Sequence, residues 1–141
     1  MKLTTKGRYA VMAMADLASY QNGKPVSLID ISLRQNISLS YLEQLFSKLK
    51  NEKLVKSARR ASGGYVLEKN PKDIKISNII FAVDEQVKTL NCKRESKKGC
   101  NGRSTKCITH NLWDELEQHI NSFFDNVSLN DLVKQKHIDI N

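Results

Sequence analysis

Residues 27–55 read SLIDISLRQNISLSYLEQLFSKLKNEKLV, and the spacing inside this stretch divides it into two helices and a turn. Ser27 with Asp30 supplies a capping-box start, and a short helix follows through Ile31 and Arg34. Asn36, Ile37 and Ser38 then make a tight turn in which Ile37 faces the core. Ser40 with Glu43 reads as a second capping box, and Leu42, Leu45, Phe46 and Leu49 recur at i, i+3, i+4 and i+7, the stripe that a helix buries. The opposite arc is polar: Ser40, Gln44, Ser47 and Asn51, with Tyr41, Glu43 and Lys48 at its margins. Short hydrogen-bonding side chains of this kind suit base edges and phosphates in a DNA major groove. An ordinary surface helix more often carries Glu and Lys in i, i+4 pairs there.

Immediately downstream, LVKSARRASGGYVLEK reads as a β-hairpin, with strands at Leu54–Ser57 and Gly64–Glu68 and Arg59, Arg60, Ser62 and Gly63 in its turn. A hairpin tipped with arginines directly after a groove-reading helix is a wing, and its arginines reach phosphates or a narrow minor groove. The nucleic-acid contacts predicted from this reading are Ser38, Ser40, Tyr41, Glu43, Gln44, Lys48, Arg59 and Arg60. Glu43 has two candidate roles, closing the Ser40 box or accepting from a cytosine amino group.

The charge balance points the same way. Of the net +8, all lies in residues 1–80, which hold 14 Lys and Arg against 6 Asp and Glu; residues 81–141 hold 9 against 9. With 141 residues, 40% of them hydrophobic, the chain has the size and composition of one globular unit and has no room for a separate large catalytic domain. The apolar stretch from Tyr9 to Ala15 is too short, and too soon broken by Asp16, for a signal sequence or membrane span, and three cysteines are an odd number for a disulfide framework. The expectation is a cytoplasmic protein without a membrane partner.

Residues 88–107, KTLNCKRESKKGCNGRSTKC, are polar, basic and glycine-containing, and they hold every cysteine of the chain. Cys92, Cys100, Cys107 and His110 are four soft or borderline ligands within 19 residues, a set suited to Zn²⁺ or to an iron-sulfur cluster. Sequence geometry leaves zinc, a cluster and three spare thiols all open, although wide spacing without Cys-x-x-Cys knuckles favours the larger group. Lys93, Arg94, Lys97, Lys98, Arg103 and Lys106 surround the thiols with positive charge, which favours thiolates. Catalysis by Cys107 with His110 as its base is a poor fit, because the motif places no acid or amide to orient the imidazole. Next, Ile108, Leu112, Trp113, Leu116, Ile120, Phe123, Phe124 and Val127 fall within one arc of about 160° on a helix, a stripe too wide to leave in water. Packing against the same helix of a second chain would make a two-fold dimer able to present two groove-reading helices to a palindromic site.

The predicted fold is therefore mainly α. A winged helix-turn-helix spans residues 1–86, with the helix-turn-helix at about 28–51 and the wing at about 54–68; a cysteine-rich cluster-binding loop spans 87–110; a long dimerisation helix and C-terminal tail span 108–141.

Several strings carry a family likeness: LTTKGRYAVMAM at 3–14, DISLRQNISLSYLEQLFSKL at 30–49, GGY at 63–65, AVDE at 82–85, and the Cys, Cys, Cys-x-x-His run ahead of LWDEL. On these the chain resembles the iron-sulfur cluster regulators of bacteria, in the winged-helix transcription-factor family that includes NsrR and CymR. The resemblance covers almost the whole chain. It implies a homodimeric repressor or activator, not an enzyme, bound to double-stranded DNA at a palindromic operator. It also implies a [2Fe-2S] cluster on Cys92, Cys100, Cys107 and His110, control of cluster-biogenesis genes, and cluster-donating scaffold proteins as candidate partners. A regulator without a cluster, or with zinc at the same cysteines, is the alternative. Two departures stand out. The wing, Arg59-Arg60-Ala61-Ser62-Gly63-Gly64-Tyr65, lacks the family's usual Gly-Pro and gains a charge at Arg60, and the seven and six residues between successive cysteines exceed the usual spacing.

Overall fold

Helix α1, Thr5–Tyr20, runs through the centre of the protein because Ala10, Ala13, Met14 and Leu17 give it a small-residue face that neighbouring helices approach closely. A computed structural model describes residues 4–59, 63–85 and 107–134 of the chain, and the statements below concern those residues. Among them, α1 is followed by α2 (Leu28–Gln35), α3 (Leu39–Asn51), strands β1 (Val55–Ser57) and β2 (Tyr65–Leu67), a 3-10 turn (Pro71–Asp73), α4 (Ile76–Ala82), α5 (His110–Asn126) and α6 (Leu129–Val133). This is a mostly helical winged helix-turn-helix, as the sequence predicts.

Helix α2 is capped by Ser27, whose Oγ accepts from the Asp30 N–H at 3.1 Å, which is one half of the expected box. It ends at Asn36, whose φ of 55° is the left-handed conformation that Asn tolerates better than most residues. That turn drives Ile37 into the core, where only 3% of it is exposed, and Ile31, Leu42, Leu45, Phe46 and Leu49 complete the packing between the two helices. Asp16 of α1 lies in the same region and is itself buried. Its carboxylate accepts from Arg34 Nε at 2.9 Å and Nη2 at 2.7 Å and from Gln35 Nε2 at 2.9 Å, and these bonds to Asp16 hold the guanidinium above its usual pKa. The bidentate pair fixes α2 against α1. Arg34 also lies 4.0 Å from the ring centre of Tyr20.

The wing forms within one residue of its predicted strands. Val55, Lys56 and Ser57 pair antiparallel with Leu67, Val66 and Tyr65. Val26 adds a separate antiparallel bridge to Tyr65: its N–H donates to the Tyr65 carbonyl at 3.0 Å, and the Tyr65 N–H returns to the Val26 carbonyl at 2.8 Å. This close approach depends on Gly64, with φ of 108° and space for a Cβ only at 2.9 Å from the Val26 carbonyl oxygen. Gly64→Ala should therefore open the Val26–Tyr65 bridge and lose on the order of 2–3 kcal/mol of stability. Denaturant unfolding checks the loss, and an unaltered midpoint would show that the bridge is not required.

Past the last long helix the chain folds back. Residues 127–129 join the core of the winged helix, and α6 follows directly. Lys75 and Ser128 form an antiparallel bridge, the Ile76 N–H donates to the Val127 carbonyl at 2.9 Å, and the Leu129 N–H donates to the Ile74 carbonyl at 2.7 Å. Leu129 is fully buried, and α6 packs on α1 and on the 3-10 turn. Ser128 caps α6 in a reciprocal box with Asp131, which stops α5 and redirects the chain inward. The first 86 residues alone thus leave a core position for residues 127–129 to fill.

Candidate nucleic-acid interface and cysteine site

Helix α3 begins two residues earlier than its sequence suggests. Ser38, not Ser40, is the N-cap, and its Oγ accepts from the Tyr41 N–H at 3.3 Å. The burial of Ile37 accounts for the earlier start, because the chain re-enters the helix as soon as Ile37 is seated. The box between Ser40 and Glu43 is therefore not formed. Ser40, Glu43, Gln44 and Ser47 are all exposed and lie on one arc opposite the buried Leu42, Leu45, Phe46 and Leu49. Glu43, released from capping, belongs to the polar face.

The margins of that face are less free than the sequence implies. Tyr41 is half-buried, with its ring edge-on to Tyr9 of α1 at 5.8 Å between centres. The two tyrosines line an open cavity of about 360 Å³ together with Thr5, Asn36, Ile37 and Ser38. Lys48 donates to Asp84 Oδ2 at 3.0 Å, across from the end of α4. At the end of α3, Lys50 Nζ donates to Ser57 Oγ of β1 at 3.2 Å, tying the helix to the wing. Arg59 is exposed where the wing leaves β1, and Arg60 lies outside the described residues.

Neither Asp84 nor Glu85 receives a role from the sequence beyond its place in AVDE; in the structure Asp84 pairs with Lys48 in solvent, and Glu85 anchors the domain. Glu85 is buried, and its Oε1 accepts from the Thr4 N–H at 2.6 Å and from the Thr4 hydroxyl, joining the end of α4 to the start of α1. Partners 81 residues apart give no local signal.

Cys92 and Cys100 lie outside the described residues; of the four candidate ligands, the structure brings Cys107 and His110 together. The His110 N–H donates to the Cys107 carbonyl at 3.0 Å, so the Cys-x-x-His run closes into one turn that starts α5. Cys107 is exposed with its Sγ 3.8 Å from Thr109 Oγ1, whereas His110 is buried. An accessible thiol and a sheltered imidazole in one turn fit half of a three-thiol, one-imidazole donor set, for zinc and for a cluster alike. From there α5 packs on α4. Phe124 and Val127 turn into the core, but Ile108, Leu112, Trp113 and Phe123 remain exposed. No helix among the described residues is long and apolar enough to cross a membrane.

Comparison with known proteins agrees with this architecture. The model of the Rrf2 family, described as iron-dependent transcriptional regulator, matches residues 3–135. The HTH-type transcriptional regulator IscR of Aliivibrio salmonicida is 51% identical over 138 residues, covering 98% of this chain and 80% of the relative. IscR of Yersinia pseudotuberculosis is 49% identical, covering 98% and 82%. Among solved structures, T. potens IscR superposes with a TM-score of 0.76 at 36% identity over 97% of this chain and 89% of that one. CymR, the global cysteine regulator of B. subtilis, gives 0.79 at 32% identity over 96% and 98%.

Proposed function

Because the chain belongs to the Rrf2 family of iron-dependent transcriptional regulators, we propose that it binds a palindromic operator as a homodimer and reports iron-sulfur cluster supply through a [2Fe-2S] cluster, controlling cluster-biogenesis genes. It is a transcriptional regulator rather than an enzyme. The observation that carries the DNA side of the reading is the exposed arc of Ser40, Glu43, Gln44 and Ser47 on α3, held beside the wing by Lys50 and Ser57.

On that arc Gln44 offers both a donor and an acceptor to an adenine edge, Glu43 accepts from a cytosine amino group, and the serines adapt to either. Ser38 caps α3, lines the cavity with Tyr41 and is exposed, so its hydroxyl is proposed to meet the DNA backbone at the start of the helix. Arg59 reaches the backbone or the minor groove from the wing, and Arg60 is proposed beside it. Both Gln44→Ala and Arg59→Ala should weaken operator binding by about 1–3 kcal/mol and leave random-sequence binding much less affected. Anisotropy titrations on the two duplexes check this, and equal losses on both would remove sequence reading from these residues.

Cys92, Cys100, Cys107 and His110 would hold the cluster. When bound, it supplies a labile redox-active group whose presence follows cellular iron and sulfide. The chain's own part is to set the terms of holding it. Three thiolates would carry the negative charge, the lysines and arginines next to them in sequence would offset it, and His110 would contribute the one neutral ligand. The cysteine segment joins α4, which Glu85 ties to Thr4 of α1, to α5, which carries the proposed dimer stripe. Ordering or releasing that segment would bias how two winged helices are spaced. A cytoplasmic location and cluster-donating scaffold proteins belong to the same reading.

A further inference from the structure

We propose that Asp84 is an internal stand-in for a DNA phosphate: its carboxylate holds the Lys48 ammonium of α3 in the free protein and competes with the duplex for it, setting affinity without reading sequence. The proposal rests on α3 being the DNA-contacting helix and concerns how that helix is tuned.

Lys48 Nζ lies 3.0 Å from Asp84 Oδ2, with the two side chains 39% and 74% exposed, so the pair sits in solvent at the margin of the polar arc. Lys48 is one turn beyond Gln44 on α3, where a lysine would reach the DNA backbone. Asp84 has φ of 58°, the left-handed position just past the end of α4. Its N–H donates to the Phe81 carbonyl at 3.0 Å, and the Glu85 N–H donates to the Ile80 carbonyl at 3.2 Å, a pattern that closes a helix end and favours glycine or asparagine. An acid occupies the position instead, and its carboxylate reaches across to α3.

The backbone that carries this carboxylate is held in place. The next residue, Glu85, is buried and accepts from Thr4, so the backbone at 84–85 is pinned between α4 and α1. An exposed ion pair of this type adds little to folding stability, so stability does not explain an acid at a glycine-favoured site. Weakness suits a competitor: a phosphate can displace Asp84 readily, but each displacement leaves one carboxylate beside the duplex. Lys48 therefore contributes less than a full phosphate neutralisation while Asp84 is present.

The test uses the full chain, a fluorescein-labelled random-sequence duplex and a salt series. Asp84→Asn keeps the shape and the tolerance for a left-handed φ while removing the charge, and Asp84→Gly, also at home there, serves as the second variant. Both should bind several-fold tighter than the parent and steepen the plot of log affinity against log salt by up to about 0.9, the signature of one further phosphate neutralised. Adding Lys48→Gln should abolish that gain, and Lys48→Gln alone should change the slope less than it does in the Asp84→Asn background. An unchanged slope in both Asp84 variants, or equal slope losses from Lys48→Gln in the two backgrounds, overturns the proposal and leaves α3 as the DNA helix. A parent without salt-dependent duplex binding overturns the reading of α3 and this proposal with it.

Discussion

Leu112→Asp is expected to convert a dimer into monomers and to cut operator affinity steeply while leaving the winged helix folded. Leu112 is 57% exposed in the single chain, and Trp113 and Phe123 on the same helix and Ile108 in the turn before it are exposed as well, so the protomer itself loses little packing when Leu112 changes. In a two-fold interface the substitution enters twice, once from each chain. At about 2 kcal/mol for each carboxylate taken out of water, association should weaken by about a thousandfold, enough to leave monomers at micromolar concentration. A monomer presents one recognition helix to a site built for two and loses the second half of its contacts. Sedimentation equilibrium with a thermal melt on the same sample checks both halves of the expectation. Leu116→Asp, one turn further along the helix, should behave alike. If either variant stays dimeric, some other surface joins the chains.

Cys107→Ala should yield protein without the visible absorption of a cluster, and Cys92→Ala and Cys100→Ala should do the same. Loss of one thiolate leaves an iron under-coordinated, and neither a methyl group nor an exposed turn supplies a replacement. Cys107 is solvent-exposed and makes no buried contact that the substitution would remove, so the apo fold should melt as the parent does. His110 is different because it is buried at the start of α5. His110→Ala should leave a labile residual cluster, since water or a small thiol can take the place of an imidazole, whereas His110→Cys should retain a stable one at a lower reduction potential, having added a negative charge. Anaerobic absorption spectra of the four single alanine variants and His110→Cys check the ordering. Three cysteine variants with the parent's spectrum would place the chromophore elsewhere.

Local patterns made the recognition helix, its buried stripe and the wing legible to within one or two residues. The i, i+3, i+4 spacing of Leu42, Leu45, Phe46 and Leu49 and the glycines before Tyr65 need no distant partner to be read. The cap of α3 reads as Ser40 in sequence and is Ser38 in the structure, because the burial of Ile37, a tertiary fact, starts the helix earlier. Val127 reads as the end of an amphipathic helix and Ser128 and Leu129 as tail, since their pairing with Ile74–Ile76 joins segments more than 50 residues apart. Buried acids were the least legible. Asp16 and Glu85 look like surface charges in sequence, and only the donors brought by Arg34, Gln35 and Thr4 make their burial tolerable. Of the cysteine site, the sequence supplied the donor set, and the structure adds that its last two members share one turn.

The most direct measurement is the metal and sulfide content of the chain purified without oxygen, taken with its visible spectrum. The account predicts brown protein containing iron and acid-labile sulfide in equal amounts, bleached by oxygen or chelator and absent from the cysteine variants. Colourless protein carrying zinc, or no metal at all, would contradict it and leave a winged-helix regulator that senses something other than a cluster.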